Sequence, residues 1–119
     1  MGATFKGEID MKKQTQDFQA IYDQALAAGR KAEADWEQKH GEDNYCGFAW
    51  VEIPNGRSPF VNWCKKNNIG SKHWQKGWQI WRCTNNMTQC MNVLEVGASA
   101  FAGVLKEHGI DAWYNSRGD

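Results

Sequence analysis

The chain has 119 residues, of which 41% are hydrophobic and 13% aromatic, and its formal net charge is zero. This size and composition indicate one folded domain and exclude a disordered or low-complexity chain. The sequence shows no apolar run of bilayer length and no secretory signal, so we expect a cytoplasmic protein that does not contact a membrane.

The first predicted element is a long amphipathic helix. Residues 1–13 are mixed and polar, which predicts a flexible N-terminal arm ahead of a single globular domain over 14–119. From Thr15 onward, apolar residues recur at steps of three and four, and the pattern ends near Gly41. Gly29 lies inside this helix and weakens it, which favours a break or kink there.

A strand and a short helix are predicted next. Tyr45–Ile53 is almost entirely apolar, which is typical of a central strand covered on both faces. A Pro-Asn-Gly turn over 54–56 ends it. Ser58 then predicts the N-cap of a helix whose first turn holds Pro59.

The last part of the chain predicts a loop, a strand, a helix and a final strand. Residues 70–77 indicate an exposed loop, and the alternation over 77–83 predicts a strand with Trp78 and Ile80 on one face. A capping box over 92–95 opens a helix that ends near His108, and residues 110–114 predict the final strand.

The predicted fold class is therefore α/β (or α+β). It is a single small domain with a three-stranded sheet covered by three helices, in the order α-β-α-β-α-β. Strands joined by helices favour parallel neighbours, and a mixed sheet is the alternative.

Charge is distributed unevenly along the chain. Between Glu52 and Glu95 there is no carboxylate, while this segment holds six cations, one histidine and four tryptophans. Cations interleaved with aromatic side chains suit a polyanion with flat faces, such as nucleic acid or a nucleotide. The predicted ligand-binding residues are Arg57, Ser58, Lys65, Lys66, Lys72, His73, Trp74, Lys76 and Arg82.

The carboxylate-free segment is also compatible with four further roles. Its cations could pair with the acidic first helix, and Lys65 and Lys66 also suit the C-terminus of a short helix. The amides around Ser58 could hold one phosphate or carboxylate. The same tryptophans and arginines could anchor a protein partner.

The cysteines at 46, 64, 83 and 90 do not have the spacing of a zinc or redox motif. We expect reduced thiols that act as small buried hydrophobes, with Cys46 and Cys64 fitting best. Neither His73 nor His108 belongs to a recognisable cysteine-protease signature. The sequence therefore predicts neither an enzyme nor a metal or cofactor site.

Four sequence blocks resemble a family of small uncharacterised proteins found in tailed phages. They are Cys46–Val51, Arg57–Trp63, Gly77–Trp81 and Ala98–Ala102, and the resemblance covers about residues 43–119. It implies a phage-encoded accessory protein in the host cytoplasm, and it supplies no site residues. Small phage proteins often bind host or phage nucleic acid, or they bind and inhibit a host protein, including defence systems, so the resemblance makes both kinds of function an expectation.

The function predicted from these observations is non-enzymatic binding of nucleic acid or a nucleotide through the surface of residues 57–82. The alternative is an inhibitor or adaptor that binds a host protein. The chain is expected to be a monomer or a homodimer.

Overall fold

The computed structural model describes residues 17–41 and 45–118, so the predicted arm over 1–13 lies outside the described residues. The described part forms three helices and four strands in the order α-β-α-β-β-α-β. The elements are α1 (Phe18–His40), β1 (Gly47–Ile53), α2 (Pro59–Lys66), β2 (Ser71–Lys72), β3 (Trp78–Trp81), α3 (Met91–Glu107) and β4 (Trp113–Gly118).

Helix α1 is continuous, so the predicted break at Gly29 is wrong. Asp17 caps its start by accepting a hydrogen bond from the Ala20 amide at 3.1 Å. Gly41, with a φ of 68°, ends it as predicted. Gly29 is buried in the middle because α1 lies very close to α3 there, and a Cβ on Gly29 would meet the backbone oxygen of Gly97 at 2.9 Å.

The sheet has four antiparallel strands in the order β2-β3-β1-β4. The three-stranded prediction is wrong because residues 70–77, predicted as a loop, contain β2, which pairs with β3 as a hairpin. The predicted parallel pairing is wrong as well. Strands β1 and β2 are joined by a helix but are not neighbours, because β3 lies between them, as in a split β-α-β arrangement.

All three helices lie on the same side of the sheet, where α3 packs on β1 and β4 and α1 packs on α3. Residues Gly47, Ala49, Val51 and Ile53 of β1 are buried against them, and the core includes apolar residues of every helix. The intervening residues of β1 lie on the opposite face, where no described helix covers them. The prediction that β1 is covered on both faces by helices is therefore wrong. Its continuous apolar run instead reflects aromatic side chains on an uncovered face.

Of three further element boundaries, one matches the prediction and two differ from it. Ser58 caps α2 as predicted, since its side chain accepts from the Val61 amide. Helix α3 starts at Met91 with Cys90 as N-cap, so the capping box at 92–95 is wrong. Strand β4 begins later than predicted and continues through the polar tail, because pairing with β1 rather than apolar content defines it.

Candidate nucleic-acid interface

Four of the predicted cations line one open cleft of about 810 Å³, which we call the basic cleft. It lies between the end of β1, helix α2 and the β2–β3 hairpin. Its lining is Pro54, Asn55, Gly56, Arg57, Lys65, Lys72, Lys76, Gly77, Trp78 and Asp111. Asp111 is the only carboxylate in this lining, so the cleft has a net positive charge.

The turn after β1 and helix α2 supply the first two cations. The side-chain oxygen of Asn55 accepts a hydrogen bond from the Arg57 amide at 3.0 Å, which fixes the turn that carries Arg57. Lys65 Nζ lies 3.4 Å from the carbonyl oxygen of Gly56 and 5.5 Å from the ring centre of Trp78. The Lys65 ammonium is thus oriented across the cleft by a hydrogen bond and a cation–π contact.

The β2–β3 hairpin supplies the other two cations and is closed by His73. The His73 Nδ1 accepts hydrogen bonds from the amides of Gln75 (3.1 Å) and Lys76 (3.4 Å). The neutral ring therefore carries its proton on Nε2, which donates to Glu52 Oε2 at 3.2 Å. His73 thereby ties the hairpin tip to the sheet and fixes the backbone that presents Lys76.

Trp74 lies at the tip of this hairpin and is 82% exposed. Its ring is nearly parallel to that of His73, with centroids 6.0 Å apart and an interplanar angle of 21°. The imidazole lies beside the indole, which stays largely open to solvent. A planar ring of a ligand could stack on the exposed Trp74 indole, next to Lys72 and Lys76 in the hairpin.

Three predicted residues are placed elsewhere. The Ser58 hydroxyl is engaged as the cap of α2, and Lys66 is exposed at the end of that helix outside the lining of the basic cleft. Arg82 donates from Nη1 to the carbonyl oxygens of Asn86 (2.9 Å) and Thr88 (2.8 Å). Arg82 therefore holds the loop that follows β3 and does not point into the cleft.

The cations of the basic cleft are not neutralised by ion pairs within the described ranges 17–41 and 45–118. The ion pair there joins Lys31 to Asp35 inside α1, and the contact between His73 and Glu52 is a hydrogen bond from Nε2. Pairing between the acidic first helix and the cleft cations, which the charge pattern also allowed, is therefore not observed in this part of the chain.

The uncovered side of the sheet carries an aromatic surface that sequence reasoning missed. We call it the open face, and it comprises Phe48, Trp50, Glu52, Gln79, Trp81, Trp113, Asn115 and Arg117. Trp50 and Trp81 stack on each other with centroids 4.4 Å apart. Trp81 and Trp113 remain 39% and 43% exposed. The sequence pattern that could have predicted this surface is the two-residue spacing of Phe48, Trp50 and Glu52, which places them on one face of β1.

Glu52 is the polar centre of the open face. Its carboxylate accepts hydrogen bonds from the indole nitrogens of Trp50 (2.8 Å) and Trp113 (2.9 Å), and from His73 and Asn115. Burial raises the pKa of the Glu52 carboxyl, but the four donors together outweigh burial and hold that pKa below its usual range. The ionised carboxylate thus joins β1, β4 and the hairpin.

We expect Glu52→Gln to destabilise the fold, because an amide nitrogen would face one of the donors. The expected loss is about 1–3 kcal/mol of the free energy of unfolding at neutral pH. Since the folded pKa lies below the unfolded value of about 4.3, the stabilisation by Glu52 is full above that value. It is lost as pH falls through the folded pKa.

Urea unfolding of the wild type and of Glu52→Gln as a function of pH measures this contribution. The difference between them should shrink as the solution is acidified. Glu107→Gln, on the exposed side of α3, is the control and should leave stability nearly unchanged. A constant difference across the acid range would contradict the prediction.

The cysteines differ in exposure. Cys64, Cys83 and Cys90 are buried, whereas Cys46 is exposed, so the prediction that Cys46 is buried is wrong. It lies just before β1, where the helices do not cover it. Burial raises the pKa of the Cys64 and Cys83 thiols to about 12, which makes both poor nucleophiles near neutral pH.

No family model matches this chain, and no curated protein or solved structure is significantly similar to it. Over the described residues, no helix combines the length and apolar character needed to cross a membrane. The same residues contain no group of three or more His, Cys, Asp or Glu side chains suited to a metal ion. The resemblance to tailed-phage proteins thus stays a prediction.

Proposed function

We propose that this protein binds nucleic acid or a nucleotide, without catalysis, through the basic cleft and Trp74. The observation that carries the proposal is the convergence of Arg57, Lys65, Lys72 and Lys76 on one cleft, together with Trp74, which lies between Lys72 and Lys76 in the chain and is 82% exposed. Phosphates would lie in the basic cleft, and a base would stack on the exposed Trp74 ring.

The electrostatics favour an anionic ligand. Four cations and one carboxylate line the cleft, and no ion pair within the described ranges holds the four cations. Ligand phosphates would therefore bind without breaking an existing salt bridge. Association driven by phosphates releases counterions, so the affinity should fall steeply as salt rises.

The exposed indole favours unpaired bases over duplex. In a duplex both faces of each base are already stacked inside the helix, whereas a single strand can offer a base to Trp74. The open face adds Trp81 and Trp113 as further surface. Aromatic side chains on the uncovered face of a four-stranded sheet stack bases in RNA-recognition domains. That parallel is one of architecture only.

Fluorescence titration tests the proposal. Intrinsic tryptophan emission is followed while single-stranded DNA, duplex DNA, RNA or individual nucleotides are added at about 50 mM and then about 200 mM salt. We expect saturable quenching by a single strand that weakens at the higher salt. The absence of any saturable change with all of these ligands would overturn the proposal.

The alternative is a protein partner, and the exposed aromatic area of the open face supports it. Trp and Tyr are frequent anchors of protein interfaces, and Trp81 and Trp113 lie on one uncovered surface. Trp81→Ala plus Trp113→Ala distinguishes the two functions. Loss of a captured host protein with this variant, together with no nucleic-acid binding by the wild type, would favour the inhibitor or adaptor.

A further inference from the structure

Two cysteines face each other across a backbone bridge outside the named strands. Cys46 immediately precedes β1, Cys90 is the N-cap of α3, and the two residues form an isolated antiparallel bridge. The bridge brings together positions that are far apart in the chain, at the end of the sheet where β1 begins.

The hydrogen bonds of this bridge are made by the flanking residues. The Gly47 amide donates to the Gln89 carbonyl at 3.1 Å, and the Met91 amide donates to the Tyr45 carbonyl at 2.9 Å. The cysteines between them are therefore a non-hydrogen-bonded pair. In such pairs the Cα atoms lie about 4.5 Å apart and the side chains leave on the same side. Disulfides span Cα separations of about 4.4–6.8 Å.

We propose that Cys46 and Cys90 form an oxidation site, in which a small-molecule disulfide such as oxidised glutathione converts the two thiols into an intramolecular disulfide. The site is present with both cysteines in the thiol form in this structure. It is independent of the nucleic-acid proposal, because it uses no residue of the basic cleft.

The reaction takes place in two exchange steps. The exposed Cys46 thiolate attacks one sulfur of oxidised glutathione and expels one glutathione thiolate, leaving Cys46 in a mixed disulfide. The Cys90 thiolate then attacks the Cys46 sulfur and expels the second glutathione. The two protein thiols lose two protons and two electrons in total, and the oxidant becomes two glutathione thiols.

The accessibility of the cysteines favours this pair over the others. Cys46 is exposed and can meet a dissolved oxidant, while Cys90 is 3% exposed and only needs to react within the protein. Cys64 and Cys83 belong to the buried core under the helices, whereas Cys46 and Cys90 do not. With thiol pKa values near 12, Cys64 and Cys83 react slowly with glutathione.

The disulfide would stabilise the domain without changing the ligand site. It closes the whole segment from 47 to 89 into a loop, which restricts the unfolded chain, and we expect the melting temperature to rise by about 10 °C. Strand β1 is seven residues long, so the bridge lies roughly 20 Å from the basic cleft at the other end of that strand.

The test treats the folded full chain with oxidised glutathione, blocks the remaining thiols with iodoacetamide, and maps the disulfides by mass spectrometry. Cyanogen bromide cleaves after Met87 and Met91 and so separates Cys90 from Cys83, and trypsin then isolates Cys46. The expected product is a peptide pair linked through Cys46 and Cys90, with Cys64 and Cys83 alkylated after denaturation. The melting temperature should rise, and it should return to its initial value after dithiothreitol.

Variants make the assignment specific. In Cys90→Ala, glutathione should remain attached to Cys46, and the melting temperature should not rise on oxidation. Cys83→Ala is the matched control in which the Cys46–Cys90 link should still form. Stable glutathionylation of Cys46 in the wild type, with no link to Cys90, would overturn the proposal. So would a disulfide that involves Cys64 or Cys83, and neither result depends on a variant that folds.

Discussion

Replacing Lys72 and Trp74 together by alanine is expected to weaken single-stranded nucleic-acid binding about 100-fold at low salt. Stacking on one aromatic side chain contributes roughly 1–3 kcal/mol per base. Each phosphate contact on a single strand changes the logarithm of affinity by about 0.7 per tenfold change in salt. At about 50 mM salt, one contact therefore raises the affinity roughly tenfold relative to about 1 M salt. Both side chains are exposed, so their removal should not unfold the domain.

The measurement is fluorescence anisotropy of a labelled single strand at several salt concentrations. The double variant should also show a salt slope that is shallower by about 0.7, which is the loss of one phosphate contact. Lys39→Ala plus Trp36→Ala removes the same two residue types from α1, outside the basic cleft, and should bind like the wild type. An equal loss of affinity in both double variants would mean that binding does not depend on the basic cleft.

Gly97→Ala in α3 is expected to destabilise the domain by about 2–3 kcal/mol, although alanine is the better helix former. Helix propensity alone would favour the substitution by about 1 kcal/mol. A Cβ at Gly97, however, would clash with the carboxyl group of Glu33, which is 3% exposed. That carboxyl accepts hydrogen bonds from Thr84 Oγ1 at 2.7 Å and from Asn86 Nδ2 at 3.1 Å. Overpacking and the loss of buried hydrogen bonds together outweigh the gain in propensity.

Gly103→Ala in the same helix is the matched control. A Cβ at Gly103 meets nothing within 4 Å, so only the difference in helix propensity matters. We expect the free energy of unfolding to rise by about 0.5–1 kcal/mol. Thermal melts followed by circular dichroism should therefore shift in opposite directions, with a fall of about 10 °C for Gly97→Ala. Two shifts of the same sign would show that the approach of α1 to α3 is looser than the structure indicates.

The sequence predicted the helices better than it predicted their packing. The period of apolar residues indicated α1, and Ser58 and Gly41 marked element ends through local hydrogen bonding and backbone preference. Gly29 was misinterpreted because its role depends on the contact with Gly97, and no local pattern in α1 contains that information.

The candidate site was predicted in part. The absence of carboxylates between Glu52 and Glu95 pointed to the cations that line the basic cleft, and four of them do meet there. Arg82 has the same charge, but its guanidinium is used by two loop carbonyls. Composition cannot distinguish a cation that faces solvent from one that holds a loop.

By itself, the sequence determined the helices, most of the strands and the charge asymmetry, because short-range periodicity and composition dictate these. Only the tertiary structure decided that β3 lies between β1 and β2, that all helices cover one face, and that Glu52 gathers four donors on the other. It also decided that Cys46 lies opposite Cys90. These features depend on strand pairing between distant segments, which is set by the burial of the whole core and not by any local stretch of residues.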